Sequence, residues 1–94
     1  MYVRSLRYAF ARGSSPRDGI LLGQALLKAG SGASQPQVAE ILVNADEPSE
    51  FIVLLAWANR AAAGPQEDDL FMRVGSWAIG QLRERTDKTY ETAE

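Results

Sequence analysis

Apolar residues recur along this chain in blocks punctuated by glycine and proline, and the spacing within most blocks predicts helices. The first block, "YVRSLRYAFARG", sets Val3, Leu6 and Phe10 on one helical face. Arg4, Arg7, Tyr8 and Arg12 spread over the opposite arc, and Gly13 stops the run. In "SSPRDG", Ser15 suits an N-cap, Pro16 the first helical position and Asp18 the first turn, where the helix dipole favours an acid. This second helix is expected to reach about Ala29 and is apolar nearly all round, with a thin polar stripe of Arg17, Gln24 and Lys28. "GSGAS" follows as a flexible break.

A third helix is predicted from "SQPQVAEILVNADEP", with Ser34 as cap and Pro36 near its start. Val38, Ile41 and Leu42 face inward, while Gln37, Glu40 and Asn44 face outward. Pro48 opens a fourth, "SEFIVLLAWANRAAA", which has almost no polar face between Glu50 and Asn59; a helix apolar all round is a buried one. "FIVLL" also fits a buried strand, but its long Ala-rich continuation favours helix. Gly64 and Pro65 separate a fifth, with Glu67, Asp68 and Asp69 in its first turn and Leu70, Phe71, Val74, Trp77, Ala78 and Leu82 inside. The expected architecture is all-α: a compact bundle or orthogonal array of about five helices around a nearly fully apolar central fourth helix. One helical domain spans 1–86, and 87–94 form a polar, frayed tail.

Composition narrows the chemistry. The 94 residues are 46% hydrophobic and 23% charged, which suits a globular chain. There is no cysteine and no histidine, which removes thiolate metal sites, Cys/His nucleophile pairs and imidazole acid–base catalysis together. No paired carboxylates fall on an apolar cleft pattern, and no Gly-Lys-Ser/Thr follows the glycines at 30 and 32. Consecutive helical residues diverge by about 100°, so Glu67, Asp68 and Asp69 read as acids complementing a helix dipole, not as metal ligands. Trp57 and Trp77 read as core. Sequence alone therefore predicts no enzyme, no cofactor, no metal and no evident small-molecule substrate.

Charge is unevenly distributed within a net −2. Residues 1–17 carry four arginines and no acid, whereas residues 40–69 carry seven acids against Arg60 alone. A basic end and an acidic middle suit oriented association. The acid-free, Arg-rich start also resembles a mitochondrial presequence, although its large apolar residues suit a folded core better. The "QVAEIL" segment resembles the supporting helix of a helix-turn-helix. The helix after it, however, would offer Asp46, Glu47 and Glu50 to phosphates, so sequence-specific DNA binding is not expected.

What exceeds the needs of a simple core is the apolar arc of the fifth helix, widened by Met72 and Ile79, with Gly75 permitting close approach between them and Leu21 set in the polar stripe of the second helix. These residues, with Arg4, Arg7, Tyr8 and Arg12 at the basic end, are the predicted partner-binding set. The function expected from sequence is a cytoplasmic protein–protein interaction module of adaptor, helical chaperone or inhibitor type. It would self-associate through the fifth-helix strip or bind a protein partner. The alternative is a DNA-associated regulator using the Arg-rich first helix. No apolar run is long enough to span a membrane.

Overall fold

A computed structural model describes residues 1–32 and 34–93. Residues 33 and 94, which belong to the expected flexible break and polar tail, lie outside the described residues. The chain runs β1 (Tyr2–Phe10), α1 (Pro16–Ser31), β2 (Val38–Val43), β3 (Glu50–Trp57), α2 (Arg60–Ala63), α3 (Leu70–Val74), a 3-10 helix (Ser76–Gln81) and β4 (Leu82–Glu91). The strands form one antiparallel sheet in the order β2-β3-β1-β4, with the helices on one side. This is an α+β, ferredoxin-like arrangement, and it overturns the all-α bundle.

The correction has a local cause in each segment. In β1 the burial alternates as far as Tyr8: Tyr2, Arg4, Leu6, Tyr8 and Phe10 are buried beneath the helices, Val3, Ser5 and Arg7 face the other way half-buried, and only the small Ala9 on that side is buried too. Two polar-looking residues, Arg4 and Tyr8, sit on the buried side, so the period of two was masked while Val3, Leu6 and Phe10 matched a helical period. The run "FIVLLAW" is β3, and the helical unit begins only after it, where the Asn59 side chain caps α2 by accepting from the Ala62 N–H at 2.8 Å. The central apolar helix is thus a central strand. The helix-turn-helix-like segment is β2 and the β2–β3 turn, in which the Asn44 side chain accepts from the N–H groups of Asp46 and Glu47. The fifth helix splits into α3, the 3-10 turn and β4. Residues Asp87–Glu91 of the expected tail pair with β1.

The second helix matches α1 closely. Ser15 is its N-cap, accepting from the Arg17 N–H, with Pro16 first and Asp18 in the opening turn. Its buried face is Gly19, Leu22, Gly23, Leu26 and Gly30. The glycines let the helix sit directly on side chains of the sheet. A Cβ at Gly19 would enter the Phe51 ring, one at Gly23 would lie 2.7 Å from the Tyr8 hydroxyl, and one at Gly30 would lie 2.5 Å from Leu55. Beneath α1, Tyr8 stacks on Phe51 with centroids 5.4 Å apart and meets Phe71 edge-on. Leu6, Leu22, Leu26, Val53, Leu55, Trp57 and Leu70 complete a core with almost no exposed surface.

Candidate functional site

Two places stand apart from ordinary core and solvated surface: a polar groove at the β4 side of the helix layer, and the sheet face that no helix covers.

The groove forms because the helix layer stops short of β4. Register with β1 points Arg85, Asp87, Thr89 and Glu91 toward the helix side, as partners of Tyr8, Leu6, Arg4 and Tyr2. These positions are charged or polar where a covered strand would be apolar. Arg4 is only 3% exposed and is fully engaged: Nε and Nη2 donate to the two carboxylate oxygens of Asp87 at 3.2 and 2.6 Å, Nη2 also to the Glu67 carbonyl at 2.6 Å, and Nη1 to Gln66 at 3.2 Å. A bidentate fork satisfied on every arm is a structural clasp that ties the loop after α2 to β4. On one side of Asp87 lies a groove of about 270 Å³ lined by Tyr2, Arg4, Gln66, Glu67, Asp68, Asp87 and Thr89. On the other lies one of about 330 Å³, walled by Phe71, Arg85 and the acids Asp68 and Asp69. Arg85 stacks over the Phe71 ring and binds Asp69 at 3.2 Å, and Asp69 also caps α3 by accepting from the Met72 N–H. Among the described residues no group of three or more acids converges as a metal site would require.

The uncovered face presents Val38, Glu40 and Leu42 from β2, Ile52, Leu54 and the small, buried Ala56 from β3, Val3, Ser5 and Arg7 from β1, and Glu84, Thr86, Lys88 and Tyr90 from β4, so its apolar centre has a polar surround. Leu42 is 43% and Tyr90 54% exposed, and Val3, Ile52 and Leu54 are half-buried. At one end Arg7 donates to Glu50 at 2.8 Å and to Glu84 at 3.0 Å. The Arg7 hydrogen bond holds the Glu50 carboxyl below its usual range, and Glu50 in turn raises the Arg7 guanidinium.

The partner-binding residues expected from sequence are not brought together. Met72, 53% exposed, is on α3, whereas Ile79 lies in the 3-10 helix and packs against the core, so they do not share one helical line. Gly75 is the bend between these elements, where a Cβ would lie 2.6 Å from Leu22. Leu21 is exposed on α1. Arg4 and Arg7 point to opposite sides of the sheet, each already paired with acids. Arg12 is exposed near Glu47, and Tyr8 is buried, its hydroxyl donating to the Gly19 carbonyl at 2.7 Å. Burial pushes the Tyr8 phenol well above its ordinary range. The Arg-rich first helix does not exist, and the DNA-associated regulator loses its surface with it. The helical adaptor, chaperone or inhibitor loses its fifth-helix strip. Trp57 is buried as expected, but Trp77 is 49% exposed. The residues missed from sequence are Gln66, Asp87 and Thr89 of the groove and Ile52 and Leu54 of the open face.

The fold matches solved structures along its whole length. Proteins from Deinococcus radiodurans and Nitrosomonas europaea, each named "putative antibiotic biosynthesis monooxygenase", both superpose with a TM-score of 0.70. The first is 11% identical, covering 100% of this chain and 94% of that one; the second is 17% identical, covering 100% of both. A NIPSNAP domain protein from Burkholderia xenovorans matches with a TM-score of 0.60 and 11% identity, over 99% of this chain and 95% of that one. No family model matches the chain, and no curated protein sequence matches it. At these identities the likeness establishes the ferredoxin-like fold and leaves the activity open. Among the described residues no helix is long and apolar enough to cross a membrane.

Proposed function

We propose that this protein acts on a small organic molecule as a homodimer, in an oxygenase role of the kind for which its structural neighbours are named. The observation that carries the assembly is β3. An antiparallel sheet with one wet face alternates apolar and polar positions, whereas a strand buried on both faces reads as a continuous apolar run. From Phe51 to Trp57 every residue is apolar; Phe51, Val53, Leu55 and Trp57 are buried on the helix side and the small Ala56 is buried as well, but Ile52 and Leu54 are only half-buried. Ile52 and Leu54 call for a second layer, and a second copy of the same face supplies one of matching chemistry.

Substrate is assigned to the groove beside the Arg4–Asp87 clasp. There Tyr2 offers an aromatic wall and Thr89 a hydroxyl group, and the Gln66 amide, held by Arg4 and by the Ala63 carbonyl, forms a fixed polar side, within a volume that suits a small molecule. The monooxygenase names of two neighbours support the choice of chemistry, and the whole-chain coverage supports transferring it to this fold. Oxygen uptake by the purified protein with antibiotic-precursor compounds tests it. The expected result is substrate-dependent uptake that falls in Gln66→Leu and Thr89→Val variants of unchanged fold. Substrate-independent rates, or rates that both variants leave intact, would overturn the assignment.

A further inference from the structure

We infer that the free edge of β4 is a self-recognition surface that pairs antiparallel with β4 of a second copy about a two-fold axis at Thr86. Sheet order leaves one side of β4 paired with β1 and the other open, along a strand of ten residues. Long open edges template pairing with another chain. What selects the partner here is the charge order from Glu84 to Lys88, "ERTDK". In a symmetric antiparallel pair, the residue on the axis meets itself and its neighbours meet across it. With Thr86 on the axis, Arg85 faces the second copy's Asp87 and Glu84 faces its Lys88, so every charge in the segment meets its opposite. Moving the axis to any other residue of the segment sets a like charge against itself: Glu84, Arg85, Asp87 or Lys88. Opposite charges and Thr–Thr pairs directly across a ladder are favourable, and like charges are unfavourable.

The structure is consistent with this placement in two further respects. The one irregularity in the β1–β4 ladder lies between Ala9 and Phe10, beside Arg83, so Glu84 to Lys88 belong to its regular part. Arg85, Asp87 and Glu84 each make an ion pair within the chain, whereas Lys88 makes none among the described residues and is available to Glu84 of the second copy. The pairing runs along the strand edge in the plane of the sheet; Glu84, Thr86 and Lys88 point to the open-face side and Arg85 and Asp87 to the groove side, but the inference requires neither face-to-face assembly nor any chemistry in the groove.

The chain contains no cysteine, which makes the test direct. Directly opposite Cα atoms in an antiparallel pair are about 4.5–5.5 Å apart, within the span of a disulfide. A Thr86→Cys variant should form a disulfide-linked dimer under mild oxidation roughly tenfold faster than a Tyr90→Cys variant, whose copies would sit about 27 Å apart at about 3.4 Å per residue. Adding Lys88→Glu to Thr86→Cys should slow the cross-link, and Glu84→Lys with Lys88→Glu together should restore it, with circular dichroism confirming the fold of each. Adding Leu54→Lys, which disrupts the open face, should leave the cross-link intact. Equal cross-linking at 86 and 90, no rescue by the double reversal, or loss of the cross-link with Leu54→Lys would each overturn the inference.

Discussion

The two faces of one sheet differ in how completely the chain finishes them. On the helix side, Gly19, Gly23 and Gly30 bring α1 into contact with Phe51, Tyr8 and Leu55, and Leu6, Phe51, Val53, Leu55 and Trp57 have nearly no exposed surface. The buried polar groups there are paired: Tyr8 with Gly19, Trp57 with the Ser34 carbonyl, and Arg4 with Asp87, Gln66 and Glu67. Across the sheet, Ile52 and Leu54 are half-buried only by their neighbours in the plane, with no layer above them. The contrast lies within β3 itself: Phe51, Val53, Leu55 and Trp57 face the finished core, while Ile52 and Leu54 are the positions to which the proposed assembly assigns a second layer.

Substitutions on the finished face should damage the fold in proportion to the packing they remove. Trp57→Ala should cost about 3–5 kcal/mol, as truncation of a large buried aromatic does. Chemical denaturation reads it, and a loss below about 1 kcal/mol would mean that this face is not the core. Gly19→Ala should cost about 1–3 kcal/mol, because the new methyl enters the space of a Phe51 ring already stacked on Tyr8. An unchanged melting temperature would show that α1 does not sit so close.

Tyr8→Phe is a subtler probe. At neutral pH it should cost about 0.5–1.5 kcal/mol for the lost bond to Gly19. Because burial raises the folded phenol above its ordinary value of 10.0, the unfolded chain loses this proton first as pH rises. The Tyr8 contribution is therefore constant below that value, and stability falls with pH above it. The Phe variant should lack this part of the alkaline slope, so denaturation curves of the two proteins should converge as pH climbs. Parallel curves would place Tyr8 in contact with water. Smallest of all is Met72→Lys: Met72 is 53% exposed on the outer surface of α3, so stability should move by no more than about 0.5 kcal/mol and the oligomer mass should not change. A change in mass would give the outer helix surface a role that the open sheet face is assigned here.

Some of this was legible in the residues and some was not. α1 could be read because its signals are local: Ser15, Pro16 and Asp18 act within one turn. β1 could not, because the buried members of its alternation include Arg4 and Tyr8, whose partners Asp87 and Gly19 are distant in sequence. β3 was ambiguous by nature, since a short run apolar on every side satisfies a buried helix and a doubly covered strand alike. β4 had little apolar signal between Leu82 and Tyr90, being an edge whose helix side carries Arg85, Asp87 and Thr89. The groove was out of reach for the same reason: Gln66 and Thr89 become neighbours only once β4 has paired with β1. Surplus apolar surface was placed on Met72 and Ile79, of which Met72 is exposed and Ile79 packs against the core, whereas the proposed assembly assigns it to Ile52 and Leu54.

The most direct test of that assignment is the solution mass of the wild-type protein beside Leu54→Lys, measured by light scattering with circular dichroism on the same samples. A dimer or larger assembly for the wild type, and a monomer or smaller assembly with unchanged secondary structure for the variant, is the predicted result. A wild type that stays monomeric at high concentration, or a folded variant that assembles as the wild type does, would contradict the claim that the open face of the sheet is the assembly surface.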